Sequence, residues 1–288
     1  MHWSNPARTR TFGDMTTTYT SRLDPSVLSG MHRAARTSGE RLLASFPFRP
    51  APLTLDEVYA AVAHNEAVSE AGLRDALVAL RPGAGWAEDD QDPTTLLDGE
   101  WWVVDSVEGN INHLHGTDDW GVSITLLREG APAATVFRQP SVDRTYSALA
   151  GAGAFLDGQR LTVSRTPHLA AALVATGQAE PGQTRTYRPI ADSVAAMLET
   201  ALLVQVSVPS TFPLARVASG QIDAFWQYDP VLPGIASGIL LALEAGGAVS
   251  TLDGGPWTPG APDVLVSNGL VHPEAVTALS SLPSPLHP

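Results

Sequence analysis

The sequence predicts an α/β (α+β) fold in two unlike halves, and three observations predict it. Two long stretches of helical periodicity open the chain, short runs punctuated by turn residues fill its middle, and strands alternate with helices from about residue 170 onward. The first helix follows Asp24-Pro25, an N-cap with proline at the first helical position. Its apolar residues recur at Leu28, Met31, Ala35, Leu42 and Phe46. After a turn-rich break over 47–52, Thr54 opens a second helix, with Glu57 completing the capping-box pattern. Val58, Val62, Leu73, Leu77 and Leu80 give that helix an apolar face.

Past Pro82-Gly83 the pattern changes to strands, at 101–104, 122–127, 134–137 and 145–148. Gly151-Ala152-Gly153 and Asp157-Gly158 mark tight turns, so this stretch reads as an antiparallel meander. The second half places strands at 173–176, 202–208, 222–226 and 264–267. Helices are expected at 190–201, 212–219, 235–245 and 273–279, the third stopped by Gly246-Gly247. The predicted division is a disordered leader over 1–20, an N-terminal α+β half over 21–167 and a smaller α/β half over 168–288.

Composition excludes several functions. Apolar residues make up 44% of the chain, enough for a real core. Thirty acids against 17 Lys and Arg give a formal charge of −13, the wrong sign for neutralising phosphates, so no nucleic-acid partner is expected. Absence of cysteine removes disulfides, thiolate metal sites and a cysteine nucleophile together. No stretch approaches the ~20 apolar residues of a membrane span, and the first residues lack the apolar core of a secretory signal. The expectation is a cytoplasmic protein acting on a small molecule.

The densest polar cluster runs from Asp105 through Glu108, Gly109, Asn110 and Asn112 to His113, directly after the apolar run at 101–104. Two carboxylates three apart on a turn leaving a strand can converge on one point, and a hard cation such as Mg²⁺ takes oxygen ligands. Gly109 would let the backbone approach a phosphate closely. Taken alone, the same composition also describes a solvated turn.

The surroundings decide between these. The segment WWVVDSVEGNINHLHGTDDWGVSITLL resembles the signature of the inositol monophosphatase family. SVDRTYSALAGAGAFLDG, VASGQIDAFWQ, ALEAGGAVSTLDGGPW and VLVSNGLVHPEAV resemble its later segments, in order and at its spacing, over about 24–280. The resemblance implies a layered αβαβα sandwich, commonly a homodimer, and Mg²⁺-dependent hydrolysis of small phosphate monoesters. Carried across residue by residue, it implies metal ligands at Asp89, Asp105, the Val107 carbonyl and Glu108. Asn110 stands where the family has the threonine that orients the attacking water, so the implied catalytic set is Asp105, Glu108, Asn110 and Asp89. Gly109, Gln227, Ser210 and His113 fall on the substrate side. Glu66 matches an acid on the preceding helix.

The chain also departs from the pattern. Glu108 replaces an aspartate, Asp89 a glutamate, and Gly234 the third metal carboxylate; Asp229, Asp118 and Asp119 are the acids nearest in sequence to substitute. The resemblance therefore implies a phosphatase with atypical ligands. Two other readings stay open: a metal-independent enzyme in which Asp105 and Glu108 act as an acid/base pair for isomerisation, elimination or cyclisation, and a non-catalytic binding homologue.

Overall fold

The computed structural model describes residues 23–46, 52–88, 92–179 and 181–282; the expected leader lies outside them. Helix α1 (Pro25–Ser45) starts as predicted, with the Asp24 side chain accepting from the Ser26 amide at 2.8 Å. Helix α2 (Leu55–Glu70) has its full capping box: the Glu57 amide donates to Thr54 Oγ1 and the Thr54 amide to Glu57 Oε2. The predicted single helix from Thr54 to Leu80 breaks at Gly72, whose φ of +73° is left-handed, and resumes as α3 (Leu73–Leu80). Leu73 and Leu77 join the core that α1 lines, whereas Val58 and Val62 on α2 are only half-buried and the residues that helix buries are Asn65 and Ser69.

Seven strands follow in one sheet, in spatial order: β1 (Gly85–Trp86), β2 (Glu100–Glu108), β3 (Gly121–Arg128), β4 (Ala131–Gln139), β5 (Arg144–Leu149), β6 (Gly153–Leu156) and β7 (Gln159–Arg160). It is the predicted meander, except that β1 pairs with β2 in parallel. A two-residue strand carries no periodicity to read. The short helix α4 (Asn110–Leu114) leaves the end of β2.

The second sheet has five strands in the order β11-β12-β10-β8-β9, from β8 (Leu173–Thr176), β9 (Leu203–Val206), β10 (Ala224–Tyr228), β11 (Ala248–Ser250) and β12 (Asp263–Ser267). β9, β8 and β10 run parallel, while β12 is antiparallel to both its neighbours. The helices are α5 (Thr184–Thr200), α6 (Thr211–Ala218), α7 (Pro233–Glu244) and α8 (His272–Ser280). Helix α5 starts before Pro189 rather than after it, because a proline one turn inside removes only one i→i−4 bond.

Packing stacks these elements as α/β/α/β/α. Helices α1 and α2 cover one face of the first sheet, α7 packs on that sheet's other face and on β11 and β12, and α5 and α8 close the far side. Met31, Leu42, Leu77, Trp102 and Ile124 fill the first interface, and Leu214, Phe225, Ile239 and Val266 the middle. Met197, Trp226 and Leu265 fill the outer one. Each fully buried leucine-sized side chain contributes about 1.5–3 kcal/mol. This packing brings the end of β2 against the first turns of α6 and α7.

Candidate active site

Strand β2 does not stop at Val104. Asp105 pairs with Ser123 and Glu108 with Gly121, so three steps on β2 oppose two on β3. In a regular strand, residues i and i+3 face opposite ways. The extra residue of this bulge re-aims Glu108 to the side of Asp105. Asp105 Oδ1 accepts from the Val107 amide at 3.0 Å, and the two carboxyl groups hydrogen-bond to each other.

Glu108 is only 1% exposed. Burial first, then the negative charge of Asp105 and the hydrogen bond between the two, push its carboxyl well above the usual carboxylate range; Thr211 opposes them weakly. Thr211 Oγ1 lies 3.0 Å from Glu108 Oε2 and 2.9 Å from the Gly234 carbonyl oxygen. Sequence reading missed Thr211. It lies 103 residues from Glu108 in the chain, and only its place beside Ser210 hinted at the site.

Gly109 follows with φ +79°. A Cβ there would come within 2.5 Å of the Asp119 carbonyl oxygen and 3.0 Å of Pro209 Cγ, so only glycine fits this approach. Asn112 Nδ2 ties the same loop to the Asp119 and Val208 carbonyls, at 2.9 and 3.1 Å. Opposite it, Ser210 Oγ donates to Gln227 Oε1 at 2.6 Å, joining two residues that were expected on the substrate side.

Asn110 and His113 turn toward the outer helices. Asn110 Oδ1 accepts from Asn65 Nδ2 at 2.8 Å, and its Nδ2 donates to the Val62 carbonyl at 3.2 Å. His113 Nδ1 lies 3.0 Å from Asn65 Nδ2 and its Nε2 3.2 Å from the Leu42 carbonyl. An amide N–H only donates and a carbonyl only accepts, so the ring is neutral with its proton on Nε2. Burial lowers its pKa accordingly. Phe46 and Trp120 both pack edgewise on it and are tilted to each other.

The remaining acids separate. Asp89 lies outside the described residues. Glu66 sits on an exposed position of α2. Asp229 (φ +48°) is ion-paired with Arg185 at 2.6 Å, and Asp119 lies 3.7 Å from Arg216. Gly234 is buried in the first turn of α7, yet a Cβ built on it would meet only Val231 Cγ2, at 3.6 Å. Among the described residues no three His, Asp or Glu side chains cluster as a metal site. The carboxyls of Asp105 and Glu108, with the Val107 carbonyl, are nevertheless the hard oxygen donors that suit Mg²⁺.

Comparison with known proteins gives a consistent picture. The inositol monophosphatase family model matches residues 26–284. An inositol-1-monophosphatase of Rhizobium meliloti is 33% identical over 184 residues, covering 64% of this chain and 69% of that protein. A histidinol-phosphatase of Mycobacterium tuberculosis is 29% identical over 222 residues, covering 74% of this chain and 82% of that one. The structure of an inositol monophosphatase from Anabaena superposes with a TM-score of 0.76 at 26% identity, covering 91% and 97%.

Proposed function

The chain belongs to the inositol monophosphatase family, and we propose that it hydrolyses a small organic phosphate monoester with a divalent cation held by an altered ligand set. One observation supports this above the others: the β2 bulge turns Asp105 and Glu108 onto one point at the mouth of the Gly109 loop. Asp105, Glu108 and the Val107 carbonyl would hold Mg²⁺, with Asp89 as a further ligand. A bound ion of this kind lowers the pKa of its water and neutralises charge on the phosphate. The Gly109 amide presents a donor to the phosphate side, and Gln227, held by the Ser210 hydroxyl, grips the alcohol. Asn110 and His113 act from behind, fixing α4 against α1 and α2. A homodimer in the cytoplasm is part of this reading. No described helix is long and apolar enough to cross a membrane.

The raised Glu108 carboxyl favours one second reading, in which Glu108 and Asp105 shuttle a proton without metal. Phosphate release separates the two. Inositol phosphates, sugar phosphates, histidinol phosphate and nucleoside bisphosphates are offered at millimolar Mg²⁺ and again with excess chelator. The proposal expects release from at least one substrate that chelator abolishes. Release from none, or turnover that chelator leaves unchanged, would count for the acid/base reading.

A further inference from the structure

Thr211 lies where β2, α6 and α7 meet. It is fully buried, at the first residue of α6. A threonine within a helix commonly bonds the carbonyl one turn back. Here the hydroxyl instead reaches two other elements, Glu108 Oε2 at the end of β2 and the Gly234 carbonyl in the first turn of α7. A hydroxyl has one proton, so it serves both contacts at once by donating to the Gly234 carbonyl and accepting from a protonated Glu108; toward an ionised Glu108 that proton turns to the carboxylate instead. Its branched Cβ leaves χ1 few choices, which fixes the oxygen in place.

Glu108 needs such a fix. Its side chain has one more rotatable bond than an aspartate would, and besides the Thr211 hydroxyl it meets Asp105 and the Thr211 backbone amide. The Gly234 position, which offers room but no side chain, contributes its carbonyl as an acceptor for the Thr211 hydroxyl.

We propose that Thr211 is a positioning residue, whose hydroxyl locks the Glu108 carboxyl against the first turn of α7 and so aims it at the point that Asp105 faces. The proposal rests on the functional reading above for its purpose, but not for its geometry.

The test compares Thr211→Val, which keeps the shape and removes the hydroxyl, with Thr211→Ser, which keeps the hydroxyl. Mn²⁺ affinity is measured by calorimetry on the full chain, and crystal structures of both variants are solved. Thr211→Val is expected to lose about tenfold or more in Mn²⁺ affinity, the usual effect of removing a partner that orients a metal ligand, with Glu108 in a new rotamer. Thr211→Ser is expected to stay within about threefold, which a merely structural role would not produce. If valine prevents folding, Thr211→Ala is read in its place. Unchanged affinity with Glu108 unmoved overturns the proposal. If the wild-type chain takes up no Mn²⁺, the phosphatase reading falls; the Glu108 rotamer in the variant crystals still decides this proposal.

Discussion

Two carboxyl groups in contact, one of them buried, resist ionising together, and this governs the site's chemistry at the scale of residues. Glu108 holds its proton more tightly in the folded chain than in the unfolded one, where glutamate titrates near 4.5. Its contribution to stability is therefore full below that value and is lost as pH rises through the folded value. His32, His113 and His272 act oppositely: burial lowers each, so their contribution is present above 6.5 and is lost as pH falls. Thermal melts of the metal-free protein should show Glu108→Gln more stable relative to wild type as pH rises from 4.5, with both variants losing stability below 6.5. A divalent cation must displace the Glu108 proton, so Mn²⁺ affinity should climb with pH and fall in Glu108→Gln; pH-independent affinity would refute this.

Gly234 gives a second prediction at the same scale. Its Cβ direction is open, and an aspartate in the first turn of a helix suits the helix dipole. Two opposite unit charges ~4 Å apart attract by about 4 kcal/mol at an effective dielectric of ~20, and desolvation of the added carboxylate offsets much of that. Gly234→Asp should tighten Mn²⁺ binding by about tenfold or more in calorimetry; weaker binding would mean that the position does not face the cation. Asp105, Glu108 and Gly109 were legible in the sequence because they sit together on it. Thr211 was not, since only packing between β2 and α6 brings it to Glu108.

At the scale of elements, legibility followed the range of the interactions. The Asp24 and Thr54 caps were readable because donor and acceptor lie within three residues. The end of β2 was not, because a bulge interrupts the alternation that marks a strand. Glu244 shows a longer-range constraint on an element. Its carboxylate oxygens accept from the Gly151 and Gly153 amides, both at 2.7 Å, tying the end of α7 to the β5–β6 turn. An acid at a helix C-terminus is otherwise disfavoured. Hydrogen bonds to a charged group contribute about 1.5–3 kcal/mol each when buried, and these are partly exposed, so Glu244→Ala should cost about 2 kcal/mol. Urea denaturation checks this, and a cost under about 0.5 kcal/mol would show the tie to be idle.

At the scale of the whole molecule, the layered sandwich was legible because successive signature segments kept their order along the chain, as the family match over 26–284 bears out. What the layers do is set Glu108, Thr211 and Gly234 side by side from three separate elements. The formal charge of −13 attracts cations to the molecule as a whole. The division at residue 167 remains a proposal, and α7 bridges it by packing on strands of both sheets. The most direct test of a cation between Asp105 and Glu108 is an anomalous difference map from crystals saturated with Mn²⁺. The account predicts a peak within coordination distance of both carboxylates; a well-measured map with no peak there would contradict it.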